Sequence, residues 1–179
     1  AVSNVTLRTD GTFTYTGTLT PYTNTYLFAP NNGTVTFSQQ IVDQPGAVGR
    51  VESRGTAGGF VRLTGDSSYT GGTLLESGGL IMTHPNALGA GAGGTPDIVC
   101  GSGTVLRVQT PLGSASFFSR VTNDTFVSLQ LSGAGLTNTL DFSERPNIFT
   151  GTENTSVKSY FTGTLTPYGN TYLLGNTGI

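Results

Sequence analysis

The chain has 179 residues and a net charge of −2, and charged side chains make up only 10% of it, against about 25% in ordinary soluble domains. Nucleic-acid-binding proteins concentrate Lys and Arg on one surface, whereas the eight basic residues here are scattered, so no nucleic acid is expected as a partner. No apolar run approaches the roughly 18 residues of a membrane span, so no membrane insertion of this segment is expected. Frequent Val, Leu, Phe and Tyr among 27 glycines indicate a folded chain rather than a disordered one.

Short runs of alternating apolar and polar residues recur along the chain, and sustained helical periodicity does not. In chain order the runs are Thr12–Thr20, Gly33–Ser38, Val48–Ser53, Phe60–Leu63, Gly103–Val108, Thr125–Leu131 and Ser159–Leu165. Clusters of Gly, Asn and Pro separate them, as is typical of tight turns. A single helical turn is predicted at His84–Leu88, ended by Gly89. The alternation therefore predicts a fold built from short strands.

Two all-β architectures suit such strands: a sandwich and a coiled solenoid. A sandwich places charged residues on the outer faces of its sheets, and this chain has too few of them. Stacked coils tolerate an outer surface of Thr, Ser and Asn, because like residues form ladders from one coil to the next. We therefore predict a right-handed parallel β-helix (β-solenoid) with short loops and little or no α-helix, in which each coil takes about 20–25 residues.

One phrase occurs twice in the chain. Residues 15–28 read YTGTLTPYTNTYLF and residues 161–174 read FTGTLTPYGNTYLL, which are identical at eleven of fourteen positions and lie 146 residues apart. A stackable module begins again at its own end, because its last coil must present the surface that its first coil accepts. We interpret residues 1–179 as a single β-solenoid module in which 15–28 and 161–174 are equivalent copies of a tandem repeat of 146 residues.

The segment that starts at Ser67 reads SSYTGGTLLESGGLIMTHPNALGAG. It resembles the autotransporter-associated β-strand repeat (passenger-associated transport repeat) at Tyr69–Thr73, Gly78 or Gly79, Leu80 and Asn86–Gly89. It departs from the family pattern at Ser67-Ser68, where the family usually has an Asn before the Tyr. The resemblance implies a parallel β-helix in a large bacterial surface protein, extracellular or at the cell surface, without a cofactor and usually without catalysis.

Few residues carry the chemistry of an active site or a metal site. Asp141 and Glu144 are the closest carboxylate pair of the kind that a polysaccharide-degrading enzyme needs, but their surroundings read as a turn. His84 and Cys100 are the only His and Cys, so we expect a loop histidine, a small core cysteine and neither a disulfide nor a metal site. The weak candidates for calcium binding are Asn123-Asp124 and Gly65-Asp66. We predict that the chain is not an enzyme.

Seven aromatic residues cluster around the two copies of the phrase. They are Tyr15, Tyr22, Tyr26, Tyr160, Phe161, Tyr168 and Tyr172. They fit aromatic rings stacked from coil to coil at each end of the solenoid, or a seam between subunits, because aromatic residues are enriched in the cores of interfaces. A sugar-binding platform is a third interpretation.

The predicted function is that of an extracellular structural protein: a stiff stalk, sheath or filament whose partners are copies of itself. An open coil end exposes unpaired N–H and C=O groups, which are a template for another strand. The alternative is an adhesin, in which loops such as 88–96 or 113–118 bind glycans or neighbouring cells. A β-helical polysaccharide-degrading enzyme or a tailspike is the remote alternative.

Overall fold

A computed structural model describes residues 6–21, 23–90, 97–110, 119–122, 127–131, 139–151 and 161–175. Fourteen β-strands can be followed in these residues. They are β1 (Thr6–Thr9), β2 (Phe13–Tyr15), β3 (Thr25–Pro30), β4 (Gly33–Phe37), β5 (Arg50–Arg54), β6 (Gly59–Leu63), β7 (Thr73–Ser77), β8 (Gly79–Met82), β9 (Ile98–Cys100), β10 (Thr104–Val108), β11 (Val127–Leu131), β12 (Leu140–Asp141), β13 (Ile148–Gly151) and β14 (Leu165–Thr166).

The strands form stacked parallel sheets. Sheet A has the order β1-β3-β5-β7-β9, sheet B has the order β13-β11-β10-β8-β6-β4-β2, and β12 pairs with β14. Every pairing between these strands is parallel. From β1 to β10, consecutive strands of the chain thus alternate between sheets A and B and return one position further along each, which is the path of a β-solenoid. Beyond β10, β11 and β13 extend sheet B, and β12 and β14 pair with each other. The predicted all-β fold of stacked coils is confirmed.

One row of inward-facing residues in sheet B shows how many residues make up one coil. Its members, paired in register from coil to coil, are Phe13, Val35, Val61, Leu80, Leu106, Leu129 and Thr150. We call this set the sheet B core row. Its consecutive members are 19 to 26 residues apart, close to the coil length that the sequence predicts.

The strand alternation sorts side chains into the core as the sequence indicates. In β10, Leu106 and Val108 belong to the core cluster, while Arg107 lies on the outer face, over the ring of Phe60. Val105 shares the outer face with Arg107 and is nevertheless fully buried. Alternation therefore gives the correct face, but it does not show which parts of the outer face are covered.

The third side of the coil is formed by the segments that lead from sheet B back to sheet A. Here the Ser68 N–H donates to the Ile41 carbonyl at 2.9 Å, and the Ala90 N–H donates to the Tyr69 carbonyl at 3.1 Å. Ile41 and Tyr69 are fully buried. The core is therefore closed on three sides by backbone that hydrogen-bonds from one coil to the next.

The predicted glycine corners lie where adjacent coils approach most closely. Gly72 and Gly78 have positive φ angles of +79° and +75°. A Cβ at Gly78 would lie 2.7 Å from the carbonyl oxygen of Gly59, in the preceding coil. The segment His84–Leu88, predicted as a helical turn, is a hydrogen-bonded turn in which the Ala87 N–H donates to the His84 carbonyl at 3.0 Å.

Polar side chains add a second set of links between coils on the third side. One oxygen of Asp43 accepts hydrogen bonds from the N–H groups of Gly49 at 2.6 Å and Thr70 at 3.0 Å, and the other accepts from the Thr70 hydroxyl at 2.7 Å. Partial burial alone would raise the pKa of Asp43, but these donors lower it below its ordinary value. Ionised Asp43 therefore links two coils through these hydrogen bonds, which we call the Asp43 tie.

Two glycines with nearly equal φ angles make it possible to measure separately how much stability is lost through backbone strain and how much through a clash with the neighbouring coil. Gly78 and Gly103 have φ angles of +75° and +76°, but a Cβ at Gly103 meets no atom within 4 Å. Gly103→Ala should lower the free energy of unfolding by about 1–2 kcal/mol through its backbone conformation alone. Gly78→Ala should cost a further 1–3 kcal/mol or so, because the methyl group enters the preceding coil. Denaturant unfolding of the two variants measures the difference, and equal losses would contradict the close approach.

The Asp43 tie should make stability depend on pH in the acid range. Because the folded-state pKa is lowered, its contribution is present above the ordinary carboxyl pKa of about 4 and is lost as the pH falls through the folded-state value. At pH 7, the free energy of unfolding of Asp43→Asn should therefore be about 1–2 kcal/mol lower than that of the native chain. This difference should narrow below about pH 4. Asp66→Asn is the control, since Asp66 is exposed and accepts from the Asn86 side chain. If the difference in unfolding free energy between Asp43→Asn and the native chain stays constant with pH, the ionised carboxylate of Asp43 is not what links the coils.

Candidate functional site: the two ends of the solenoid

The exposure of the sheet B core row changes along the axis. Val35, Val61 and Leu80 are 0% exposed, whereas Thr150 is 7% exposed. Beyond Thr150 the row continues to Leu174 through a parallel bridge, and Leu174 is 65% exposed. Burial in this row thus requires a coil on each side, and the described residues place no coil beyond Leu174.

The first described coil has the same property at the opposite end. Its inward-facing residues Leu7, Phe13, Tyr15 and Leu19 are only partly buried, although all four pack against the core cluster. The ring of Tyr15 stacks on Phe37 of the next coil with their centroids 6.0 Å apart. No described residue pairs with the outer edge of β1 or β2. We call β1, β2 and Leu19 the first end.

The last described coil, residues 161–175, is the second end. Phe161 and Leu165 are partly buried against the core, and β14 is covered on one side by β12. Tyr168 and Tyr172 are 48% and 51% exposed, so they form an apolar surface together with Leu174. Both ends of the described solenoid therefore present incompletely covered core residues.

The two copies of the repeated phrase occupy different positions on the coil. In the first copy, Thr25–Phe28 belongs to β3 of sheet A, where all four residues pair with β5 and Leu27 and Phe28 also pair with β1. In the second copy the matching residues are Thr171–Leu174, and Leu174 pairs with β13 of sheet B instead. The copies are alike in sequence, but they are not equivalent in their place on the coil.

The aromatic residues predicted as an interface are thereby divided. Tyr168 and Tyr172 lie exposed at the second end, and Tyr15 and Phe161 are half-covered at the two ends. Tyr26 is 5% exposed and lies in the interior, where burial raises the pKa of its hydroxyl. Tyr22 and Tyr160 lie outside the described residues.

Sequence reasoning missed five apolar residues at the two ends. They are Leu7, Phe13, Leu19, Leu165 and Leu174. Leu174 occupies the place of Phe28 in the repeated phrase, and Leu165 the place of Leu19. Four of the five are leucines, and Phe13 lies outside both copies of the phrase, so a cluster of aromatic residues around the phrase does not include them. The available signal is alternation, since Phe13, Leu19 and Leu165 each stand between two threonines.

The second end contains a hollow between the last residues and β13. Phe142, Ile148 and Tyr172 are among its lining residues, and its free volume of about 10 Å³ holds no more than one water molecule. A sugar ring does not fit there. The hollow is therefore too small to enclose a sugar, and the exposed rings of Tyr168 and Tyr172 form an open surface beside it.

Of the two carboxylates considered for catalysis, Glu144 lies in a turn, as predicted, and Asp141 is the last residue of β12, just before that turn. Asp141 is exposed, and its carboxylate accepts from the Ser143 N–H at 2.9 Å, a bond that lowers its pKa. Arg145 closes the same turn by donating its N–H to the Phe142 carbonyl at 2.8 Å. In the described ranges no three His, Cys, Asp or Glu side chains come together as a metal site.

Among the other positions considered in the sequence, Cys100 is described by the structure, and several others lie wholly or mostly outside the described residues. Cys100 lies in β9, and burial raises the pKa of its thiol to about 12, so the predicted core cysteine is confirmed. The pair Asn123-Asp124 and the loop 113–118 lie outside the described residues, as does most of the loop 88–96. Within the described part of the chain, no helix is both long enough and apolar enough to cross a membrane.

Comparisons with protein-family models, with curated proteins and with solved structures give no match. The resemblance of residues 67–91 to the autotransporter-associated repeat therefore stays a prediction from the sequence.

The repeated phrase offers a matched test of the two environments. Tyr26→Ala removes a buried ring and should cost about 3–5 kcal/mol of unfolding free energy. Tyr172→Ala stands in the same Asn-Thr-Tyr-Leu context but at an exposed position, and should cost less than about 1 kcal/mol in the dilute, unassociated chain. Thermal unfolding at low concentration checks both values, and equal losses would show that the second copy is buried like the first.

Proposed function

We propose that the chain is a structural protein that builds an extracellular stalk, sheath or filament by continuing its coils from one module to the next. The observation that carries the proposal is the exposure of the sheet B core row, which is zero in the middle and 65% at Leu174. The modules are joined end to end, either covalently in tandem or as separate subunits. The resemblance of residues 67–91 to a repeat of bacterial surface proteins supports the extracellular location.

The two ends differ from each other, which determines the kind of assembly they support. The first end offers the outer edges of β1 and β2, and the second end offers β14 and Leu174. A contact between unlike surfaces is heterologous, and it propagates into an open chain of subunits when no rotation closes it into a ring. A solenoid that adds coils along its own axis meets that condition.

Blocking one end at a time tests this assembly. Phe13→Asp should disable the first end and Leu174→Asp the second, because each places a charge where a coil must cover it. Each variant alone should stay monomeric at concentrations at which the native chain associates. An equimolar mixture of the two should form dimers and nothing longer, since each chain keeps one active end. Sedimentation velocity and electron microscopy distinguish monomers, dimers and fibres.

The control is Val48→Asp, because Val48 is 56% exposed but lies on the side of the solenoid. It should associate like the native chain. A native chain that remains monomeric at every accessible concentration, or a Val48→Asp variant that is as defective as Leu174→Asp, would argue against the proposal.

A further inference from the structure

We infer that the junction between modules continues the coils in parallel, with β1 of a second copy beside β14 of the β12–β14 pair, and β2 of that copy beside Leu174, which bridges to sheet B. This inference rests on the proposed function and specifies how its contact is made. The order of sides supports it. At the first end, β1 precedes the sheet B strand β2, and Leu19 follows them. At the second end, β14 precedes Leu174, which bridges to sheet B, and Phe161 comes before both. When one coil is laid on the other, β1 therefore meets β14, β2 meets Leu174, and Leu19 meets Phe161.

Each side of the coil then brings two half-covered apolar residues together. The sheet B core row places Leu174 next to Phe13 of the second copy, because both belong to the same inward-facing row. In the β12–β14 pair, the inward-facing residue of β14 is Leu165, which is paired with buried Leu140. The inward-facing residue of β1 is Leu7, which is paired with buried Phe28. On the third side Phe161 meets Leu19. Six apolar residues that the described structure leaves partly or largely exposed thus gain an apolar neighbour in three pairs.

Charges on the outer face agree with the same pairing. Asp141 pairs with Thr166 in register, so in the junction Arg8 of the second copy, which lies beside Leu7 in the chain, takes the next place after Thr166. A side chain in this solenoid can reach past one intervening strand: the Arg107 guanidinium lies 4.5 Å from the ring centre of Phe60, with β8 between β10 and β6. Arg8 can therefore reach Asp141 across the small side chain of Thr166.

The repeated phrase defines a competing junction. If residues 161–174 of one copy replaced residues 15–28 of the next by strand exchange, Leu173 would take the place of Leu27 and pair with Glu52 of the second copy. The observed position of Leu174 in sheet B opposes this register, because Phe28 lies in sheet A.

Engineered cysteine pairs distinguish the two junctions. The single native cysteine, Cys100, is buried and leaves the background low. Parallel neighbours have Cα atoms within the range of about 4.4–6.8 Å that a disulfide spans. A mixture of Phe13→Cys and Leu174→Cys chains, oxidised after association, should give a cross-linked dimer in high yield. A mixture of Leu173→Cys and Glu52→Cys should give little.

The charge pair gives a second readout that leaves the core intact. Arg8→Glu should weaken association by about two- to tenfold, and the double variant Arg8→Glu/Asp141→Arg should recover most of the loss. Arg50→Glu is the control, because Arg50 is exposed on the side of the solenoid. An Arg8→Glu loss that Asp141→Arg does not reverse would overturn the charge pairing, and with it this register.

The outcomes separate this inference from the proposed function. Cross-linking through positions 13 and 174 supports both. Cross-linking through positions 173 and 52 overturns the parallel junction in favour of strand exchange, while end-to-end assembly stands. Association without either cross-link also overturns the junction alone. Failure of the native chain to associate overturns both.

Discussion

Backbone hydrogen bonding between neighbouring coils is the interaction on which the rest of this structure depends. It runs along the axis of the solenoid, so each strand needs a partner above and below it, and the pattern has no natural last member. The core follows the same rule. Val61 is buried because β4 and β8 lie on either side of it, and Leu174 is exposed because, in the described part of the chain, only β13 lies beside it. The contacts between neighbouring coils stabilise the middle of the solenoid, and the ends of the described solenoid lack one neighbouring coil.

The close spacing of parallel coils also explains the composition. Where one coil turns against the next, a carbonyl oxygen occupies the space of a side chain, as at Gly71 beside the Gly49 carbonyl. Polar residues at the corners then hold adjacent coils together through short bonds. Asp43 reaches Thr70, and Arg120 binds both Asp97 and the carbonyls of Leu88 and Gly89. Glycine and short polar side chains are thus requirements of coil stacking.

The sequence predicts much of the middle of the fold and less of its ends. Alternation locates β4, β6 and β10 closely, because a strand with one buried face must alternate whatever its neighbours are. It does not locate β12 and β14, since two-residue strands contain too little pattern to detect. It also cannot assign a strand to sheet A or sheet B, because that depends on the lengths of all the preceding turns. The repeated phrase shows the limit: the same letters give a buried Tyr26 and an exposed Tyr172.

The low charge content has a physical reason in the same architecture. Parallel register places equivalent positions of successive coils only about 4.8 Å apart, so a ladder of like charges would repel along its whole length. The outer row of sheet B shows how the chain avoids this, because uncharged Ile81 separates Arg62 from Arg107. Where charges do adjoin, they are opposite, as in Arg54 between Glu52 and Glu76. In the assembly that we propose, the junction between modules is under the same constraint. There the small Thr166 would lie between Asp141 and Arg8 of the second copy, as uncharged Ile81 lies between Arg62 and Arg107.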